Sequence, residues 1–191
     1  MAPLFCSANA ADTTEQVKPD LGAATRQEMV SLPEPPAWPA APPAPLYTFD
    51  DIVQEFKGSS HAHPEMVHQA QSFVRPDLRW LKAYVKWFGK LEKPLHFEYE
   101  DQTFDCDKFS RCFVAFADLL ARKQGEARAS VCVGWVTVHN DVAFGGVGAG
   151  NGHALVLAAT TSGLFIIEPQ TGTMVPLAQY PNRDQLQAVN F

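Results

Sequence analysis

Apolar residues recur at helical spacing in two clear stretches. In the first, Leu78, Leu81, Val85 and Phe88 share a face that Trp80, Tyr84 and Trp87 broaden. Pro76 and Asp77 open this stretch and Gly89 closes it, which predicts a helix from Leu78 to about Gly89. In the second, Phe109, Cys112, Phe113, Phe116 and Leu120 follow one another on one face. Asp105 stands where an N-cap belongs and so places Cys106 in the first turn of this helix. A shorter helix is predicted over Phe49–Phe56, ended by Gly58, Ser59 and Ser60.

Downstream the pattern changes to strands. Ser130–His139 is rich in Val and contains Trp135, and a glycine-rich stretch spans Phe144–Gly152. Two apolar runs, His153–Thr160 and Leu164–Glu168, flank the turn Thr161-Ser162-Gly163 and predict an antiparallel hairpin. Pro169 stops the second run, Thr171-Gly172 reads as a further turn, and Met174–Leu177 as a last short strand. Another short strand is expected within Leu95–Phe104, at LHFEYE.

The N-terminal stretch follows neither pattern. Residues 32–45 read LPEPPAWPAAPPAP, which favours polyproline II and cannot join a sheet interior. Residues 1–45 therefore read as an extended linker, or as an assembly arm docking in a groove of a neighbouring subunit with Trp38 as anchor. Residues 46–191 form the domain, with a helical part over 46–90 and a core over 95–175.

Composition narrows the function classes. The 191 residues carry a formal net charge of -6 and are 46% hydrophobic, enough for one core plus a tail. An acidic chain is a poor nucleic-acid binder, and nothing predicts an anionic membrane partner. No apolar run approaches the roughly 20 residues a membrane helix needs. No signal peptide is apparent, so a cytoplasmic location, or one within a virion, is expected. Cys6, Cys106, Cys112 and Cys132 include no C-x-x-C pair and read as reduced thiols. His61, His63 and His68 lack a Cys or a well-spaced carboxylate beside them and read as a solvated polar loop rather than a metal site.

One constellation carries chemistry. A thiol in the first turn of a helix meets free amide N–H groups and the positive end of the dipole, both of which favour a thiolate. Only Cys106 has that setting: Cys112 lies on the apolar stripe, Cys132 in a Val-rich strand and Cys6 in the tail. A nucleophilic thiol needs a base, and the base needs an acceptor for its second nitrogen. His153, after the glycine-rich stretch, and Glu168, at the end of the next strand, fit those roles. Gln102, four residues before Cys106, is the candidate oxyanion donor.

At these residues the chain resembles the papain-like clan. It is most similar to the C-terminal cysteine-peptidase domain of Marasmius-type fungal agglutinins, through Phe104-Asp105-Cys106-Asp107-Lys108-Phe109, Gly152-His153-Ala154-Leu155 and Ile167-Glu168-Pro169-Gln170-Thr171-Gly172. More loosely it resembles NlpC-type cell-wall peptidases, whose Ser-Gly after the Cys is replaced here by Asp107-Lys108 and whose third polar residue is usually His. The resemblance implies a papain-like α+β fold, with the Cys-bearing helix packed on a small antiparallel sheet behind a Pro-rich arm. It implies a thiol peptidase or amidase using Cys106, His153 and Glu168, acting on peptide or peptidoglycan, with calcium as a conceivable activator. The alternative expectation is a non-catalytic assembly protein, such as a phage virion component, that keeps the fold and docks partners through residues 1–45.

Overall fold

The computed structural model describes residues 31–39, 45–68, 70–96, 105–126 and 128–191. Helix α1 (Phe49–Lys57) begins at a reciprocal cap. The Thr48 hydroxyl accepts the Asp51 N–H at 3.2 Å, and the Asp51 carboxylate takes the Thr48 N–H at 2.9 Å. Helix α2 (Leu78–Phe88) starts where its Pro-Asp opening predicted, with the Asp77 carboxylate accepting the Trp80 N–H at 2.6 Å. A single turn, α3 (Glu92–Leu95), precedes α4 (Cys106–Lys123). Asp105 occupies the N-cap place of α4, but its carboxylate turns to Lys108 Nζ at 3.1 Å instead of to a helix N–H.

The strands form two sheets. The smaller has three strands in the order β1 (Tyr47–Thr48), β3 (Ser72–Val74) and β4 (Ser130–Val131). The larger has six, in the order β2 (Glu65–Val67), β9 (Leu186–Asn190), β5 (Val133–Asn140), β6 (Asn151–Thr160), β7 (Gly163–Glu168) and β8 (Thr173–Pro176). The hairpin expected around Ser162 is present as β6–β7, with Thr160 opposite Gly163.

The expected small antiparallel sheet is corrected. The main sheet is six-stranded and mixed, because β2 pairs in parallel with β9. Nor does the chain end on β8: β9 inserts between β2 and β5, with Val136 opposite Val189. The predicted Ser130–His139 strand is divided, β4 belonging to one sheet and β5 to the other. The strand expected at LHFEYE falls largely on residues outside those described.

Helices cover both faces of the large sheet, which is why β6 and β7 read as nearly unbroken apolar runs. On one face Val133, Val156, Ala158, Phe165 and Ile167 join a cluster with Tyr84, Phe88, Phe113 and Ala117 of α2 and α4. The alternate residues Val136, Leu155, Leu157, Leu164 and Ile166 meet Ile52 and Phe56 of α1, with Tyr180 and Val189. Each large apolar side chain buried this way contributes roughly 1.5–3 kcal/mol before chain entropy is counted.

The Pro-rich segment 31–39 lies against the chain's own helices. Trp87 Nε1 donates to the Pro33 carbonyl at 2.9 Å and Gln124 Nε2 to the Pro36 carbonyl at 3.1 Å. The Trp38 N–H donates to Gln124 Oε1, and the Trp38 ring meets Trp80 edge-on at 4.7 Å. Trp38 is thus an anchor, with α2 and α4 of the same chain as its seat. Residues 1–30 and 40–44 of the expected arm, Cys6 among them, lie outside the described residues.

Candidate functional site

The first residue of α4, the start of β6 and the turn after β7 converge on one cleft. Cys106, Val147, Asn151, Gly152, His153 and Gln170 line it, around a volume of about 440 Å³. Helix α4 packs on β5 and β6, which brings its N-terminus to the polar end of the sheet.

Strand register sets the histidine beside the acid. Val156 pairs with Ile167, so continuing the ladder one step puts Glu168 opposite Leu155, two residues along from His153. Residues so related share a face and lie diagonally adjacent. His153 Nε2 and Glu168 Oε2 are 2.5 Å apart, with the Glu168 side chain fully buried and that of His153 only 5% exposed. A buried carboxylate requires partners for its remaining lone pairs. Glu168 Oε1 finds one in the Gln170 N–H at 3.0 Å.

The glycine-rich loop closes over the acid. Phe144 and Val147 exchange backbone hydrogen bonds at 3.0 and 2.9 Å, and Gly145 between them has φ +61. A Cβ on Gly145 would sit 2.7 Å from Glu168 Cβ and 2.8 Å from its Cγ, so only glycine permits this approach. Buried Asn182 pins the loop from below, accepting the Val142 N–H at 2.8 Å and donating to the Val142 carbonyl at 2.7 Å.

The electrostatics follow from this geometry. Burial on its own pulls the His153 imidazole down. Hydrogen bonds with the Cys106 side chain and with Glu168, together with the charge of Glu168, outweigh it and push the ring up to about 9. Below about pH 9 the His153 ring is held as a cation beside the Glu168 carboxylate and the Cys106 sulfur. Burial pushes the thiols of Cys112 and Cys132 up instead, which makes both poor nucleophiles.

Asp105 and Asp107 flank the thiol and act on each other: competition for one proton, with help from Lys108, lowers Asp105 to about 2, while the same interaction and burial raise Asp107. The basic residues of the same turn offset the remaining charge, Lys108 at 3.1 Å from Asp105 and Arg111 at 3.2 Å from Asp107. Among the described residues no group of three or more His, Cys, Asp or Glu could hold a metal ion. His61, His63 and His68 are exposed, and His68 stacks on Phe49 at 4.2 Å.

The structure places Cys106 and His153 in one cleft, with Glu168 buried behind His153. Gln102 falls outside the described residues. Sequence reasoning passed over Gln170 and Asn151 as lining residues. The signal for Gln170 was its place just past Pro169, where the chain must turn. The Gly172 N–H closes that turn on the Glu168 carbonyl at 2.8 Å. Among the described residues no helix is long and apolar enough to cross a membrane.

Comparison with known proteins bears on the fold. No family model and no curated protein matches the sequence. Among solved structures the chain is similar to PSL1a, solved as its complex with E64: 13% identity and a TM-score of 0.59, over 76% of this chain and 50% of that one. It is also similar to the Polyporus squamosus lectin bound to the human-type influenza-binding epitope Neu5Aca2-6Galb1-4GlcNAc, with 15% identity and a TM-score of 0.50 over 66% of this chain and 42% of that one. The chain spans half or less of either structure, and at these identities the likeness concerns the fold. These findings correct the papain-like assignment, and with it the expected peptidase or amidase activity, its peptide or peptidoglycan substrate, and the virion-component alternative. Three short motifs around a thiol were too local to report a six-stranded sheet whose strands β2 and β9 lie outside them. The fold of this chain is a sheet-rich one that it shares with PSL1a and the Polyporus squamosus lectin.

Proposed function

We propose that Cys106 is a reactive thiol, activated by His153 and held in place through Glu168, which bonds covalently to an electrophilic ligand entering the cleft beside Asn151 and Gln170. The observation that carries this reading is the His153 imidazole, 2.5 Å from a fully buried carboxylate and lining one cleft with the Cys106 side chain. A cation against sulfur at a helix N-terminus favours the nucleophilic anion. Glu168 fixes the ring's orientation and balances its charge. In the reaction the sulfur forms a C–S bond to the electrophilic carbon. The displaced electron pair moves onto the ligand, which takes up the proton that His153 received from the thiol. The loop on Gly145 and the turn at Pro169–Gly172 preorganise the acid, so little rearrangement accompanies the step.

The test is competitive labelling of the whole chain at pH 7 with substoichiometric iodoacetamide or E64, read by peptide mass spectrometry. Cys106 is expected to react first, and His153→Ala to slow it by about 10²-fold or more. Labelling of Cys112 or Cys132 ahead of Cys106 would refute the reading.

A glycan ligand is a second reading, since the Polyporus squamosus lectin was solved with Neu5Aca2-6Galb1-4GlcNAc. It has a location of its own: an open groove of about 520 Å³ beside Trp135, Asn190 and Phe191. There the Arg111 guanidinium lies 4.7 Å from the Trp135 ring, pairing an apolar ring with a cation suited to an acidic sugar. Calorimetric titration with that trisaccharide separates the two, and no heat with the wild-type chain removes the glycan reading.

A further inference from the structure

We infer that the face of α2 and α4 beneath the Pro-rich segment is a reading site for polyproline II backbone, where a Pro-x-x-Pro-x-Trp segment of another protein displaces the chain's own. The inference does not involve Cys106 and stands apart from the reactive-thiol reading.

Residues 31–39 are in neither helix nor strand, and their exposure repeats every three residues. Ser31, Glu34 and Ala37 are exposed, whereas Pro33, Pro36 and Pro39 are half-buried. Three residues make one turn of a polyproline II helix, about 9 Å long. The two helices read that period with side-chain donors. Trp87 Nε1 donates to the Pro33 carbonyl at 2.9 Å, and Gln124 Nε2 donates one turn further on to the Pro36 carbonyl at 3.1 Å. A polyproline II backbone makes no internal hydrogen bonds, so its carbonyls are free for donors set at its own repeat. Gln124 Oε1 also accepts the Trp38 N–H, and the Trp38 ring stands edge-on to Trp80 at 4.7 Å. These contacts fall on Pro33, Pro36 and Trp38, so the site reads a spacing and a conformation more than a full sequence.

Two features favour exchange with another protein. The seat is buried and its occupant is not: Trp80 and Trp87 are 3% and 8% exposed, while every residue from 31 to 39 is half-buried or exposed. Beside Trp38, the Trp80 Nε1 donor is buried and has no acceptor among the described residues. A buried donor in that state is costly. A segment from another protein that brings an acceptor to Trp80 gains a bond that residues 31–39 do not make. That gain offsets the high local concentration of the tethered segment. The same segment from a second copy of this chain would only repeat the resident's bonds, at the cost of association.

The test titrates a fluorescein-labelled peptide, Ala-Pro-Ala-Ala-Pro-Ala-Trp-Pro-Ala, against the full chain by fluorescence anisotropy. The peptide keeps the places of Pro33, Pro36, Trp38 and Pro39 and replaces the other residues by alanine. Trp38→Ala removes the resident anchor, and Pro36→Gly loosens the segment without deleting a ring. Each variant that keeps the wild-type circular dichroism spectrum should bind the peptide about tenfold or more tighter than the wild type does. Adding Gln124→Ala should remove that gain by about tenfold, since two hydrogen bonds go with it. No binding to either loosened chain overturns the inference. Affinity equal in wild type and variants, or untouched by Gln124→Ala, overturns it as well, because the peptide would then sit elsewhere. A peptide with its prolines changed to alanine that binds equally well leaves a tryptophan pocket in place of a polyproline site. A wild-type dimer in sedimentation that Trp38→Ala dissolves gives the seat to a second copy and overturns the partner from another protein.

Discussion

The two ends of the β6–β7 hairpin are built from the same two strands and solve different problems. At the turn, Thr160 Oγ1 donates to the Gly163 carbonyl at 2.9 Å and accepts the Ser162 N–H at 3.0 Å, so both partners of that hydroxyl lie within three residues, and one bond, from the Thr161 N–H to the Pro76 carbonyl at 3.1 Å, reaches another segment. At the open end, His153 and Glu168 are buried polar groups fifteen positions apart. Their support comes from the loop on Gly145, from Gln170, and from Cys106 on another element. Between the two ends, Leu155–Ala159 and Leu164–Ile167 are apolar and buried. A hairpin can close by itself, whereas a buried acid–base pair exists only after long-range packing has excluded water from it.

The sharpest way to break this contrast is Glu168→Ala. It leaves a buried imidazole with no acid beside it, and loss of about 3–5 kcal/mol in denaturant unfolding is expected. A cost no greater than that of an exposed substitution would show that the open end is not a buried pair.

A smaller effect is expected from pH. The His153 ring has an ordinary value of 6.5 and stands near 9 in the folded chain. Its contribution to stability is therefore full below about pH 6.5 and is lost as pH rises through about 9. Melting temperatures should fall across that window for the wild type, and His153→Gln should flatten the fall. A profile that is identical in the variant would assign the change to other groups.

The smallest effect belongs to the turn. Thr160→Val removes a local hydrogen-bonding hydroxyl at a fully buried position and should cost about 1–3 kcal/mol. It should leave the rate of Cys106 labelling unchanged. A slowed rate would mean that the two ends of the hairpin are coupled.

Much of this architecture could be read along the chain because its signals are local. The stripe through Phe109, Phe113 and Leu120 marks α4, Asp77 marks the start of α2, and Thr161-Ser162-Gly163 marks the hairpin. Strands of two or three residues gave no such signal. Glu65–Val67 lies in a His-rich stretch and becomes a strand only by pairing with Ala188–Asn190. Val131 and Val133 belong to one apolar run, yet they enter different sheets on either side of Cys132. The fold expectation failed at these places, since a papain-like reading weighed three short motifs and had no access to β2 and β9.

The same division holds at the site. By itself the sequence determined that Cys106 opens a helix, that Cys112 and Cys132 sit on apolar faces, and that His153 and Glu168 stand near the open ends of one hairpin. Spacing, capping and alternation act over a few residues, so they survive without a fold. Tertiary structure alone decided that Gly145 presses on Glu168, that Asn182 holds Val142 before the glycine-rich loop, and that Gln170 lines one cleft with the thiol. Each of those facts depends on desolvation and on contacts between distant segments, which the order of residues does not express until the chain has packed.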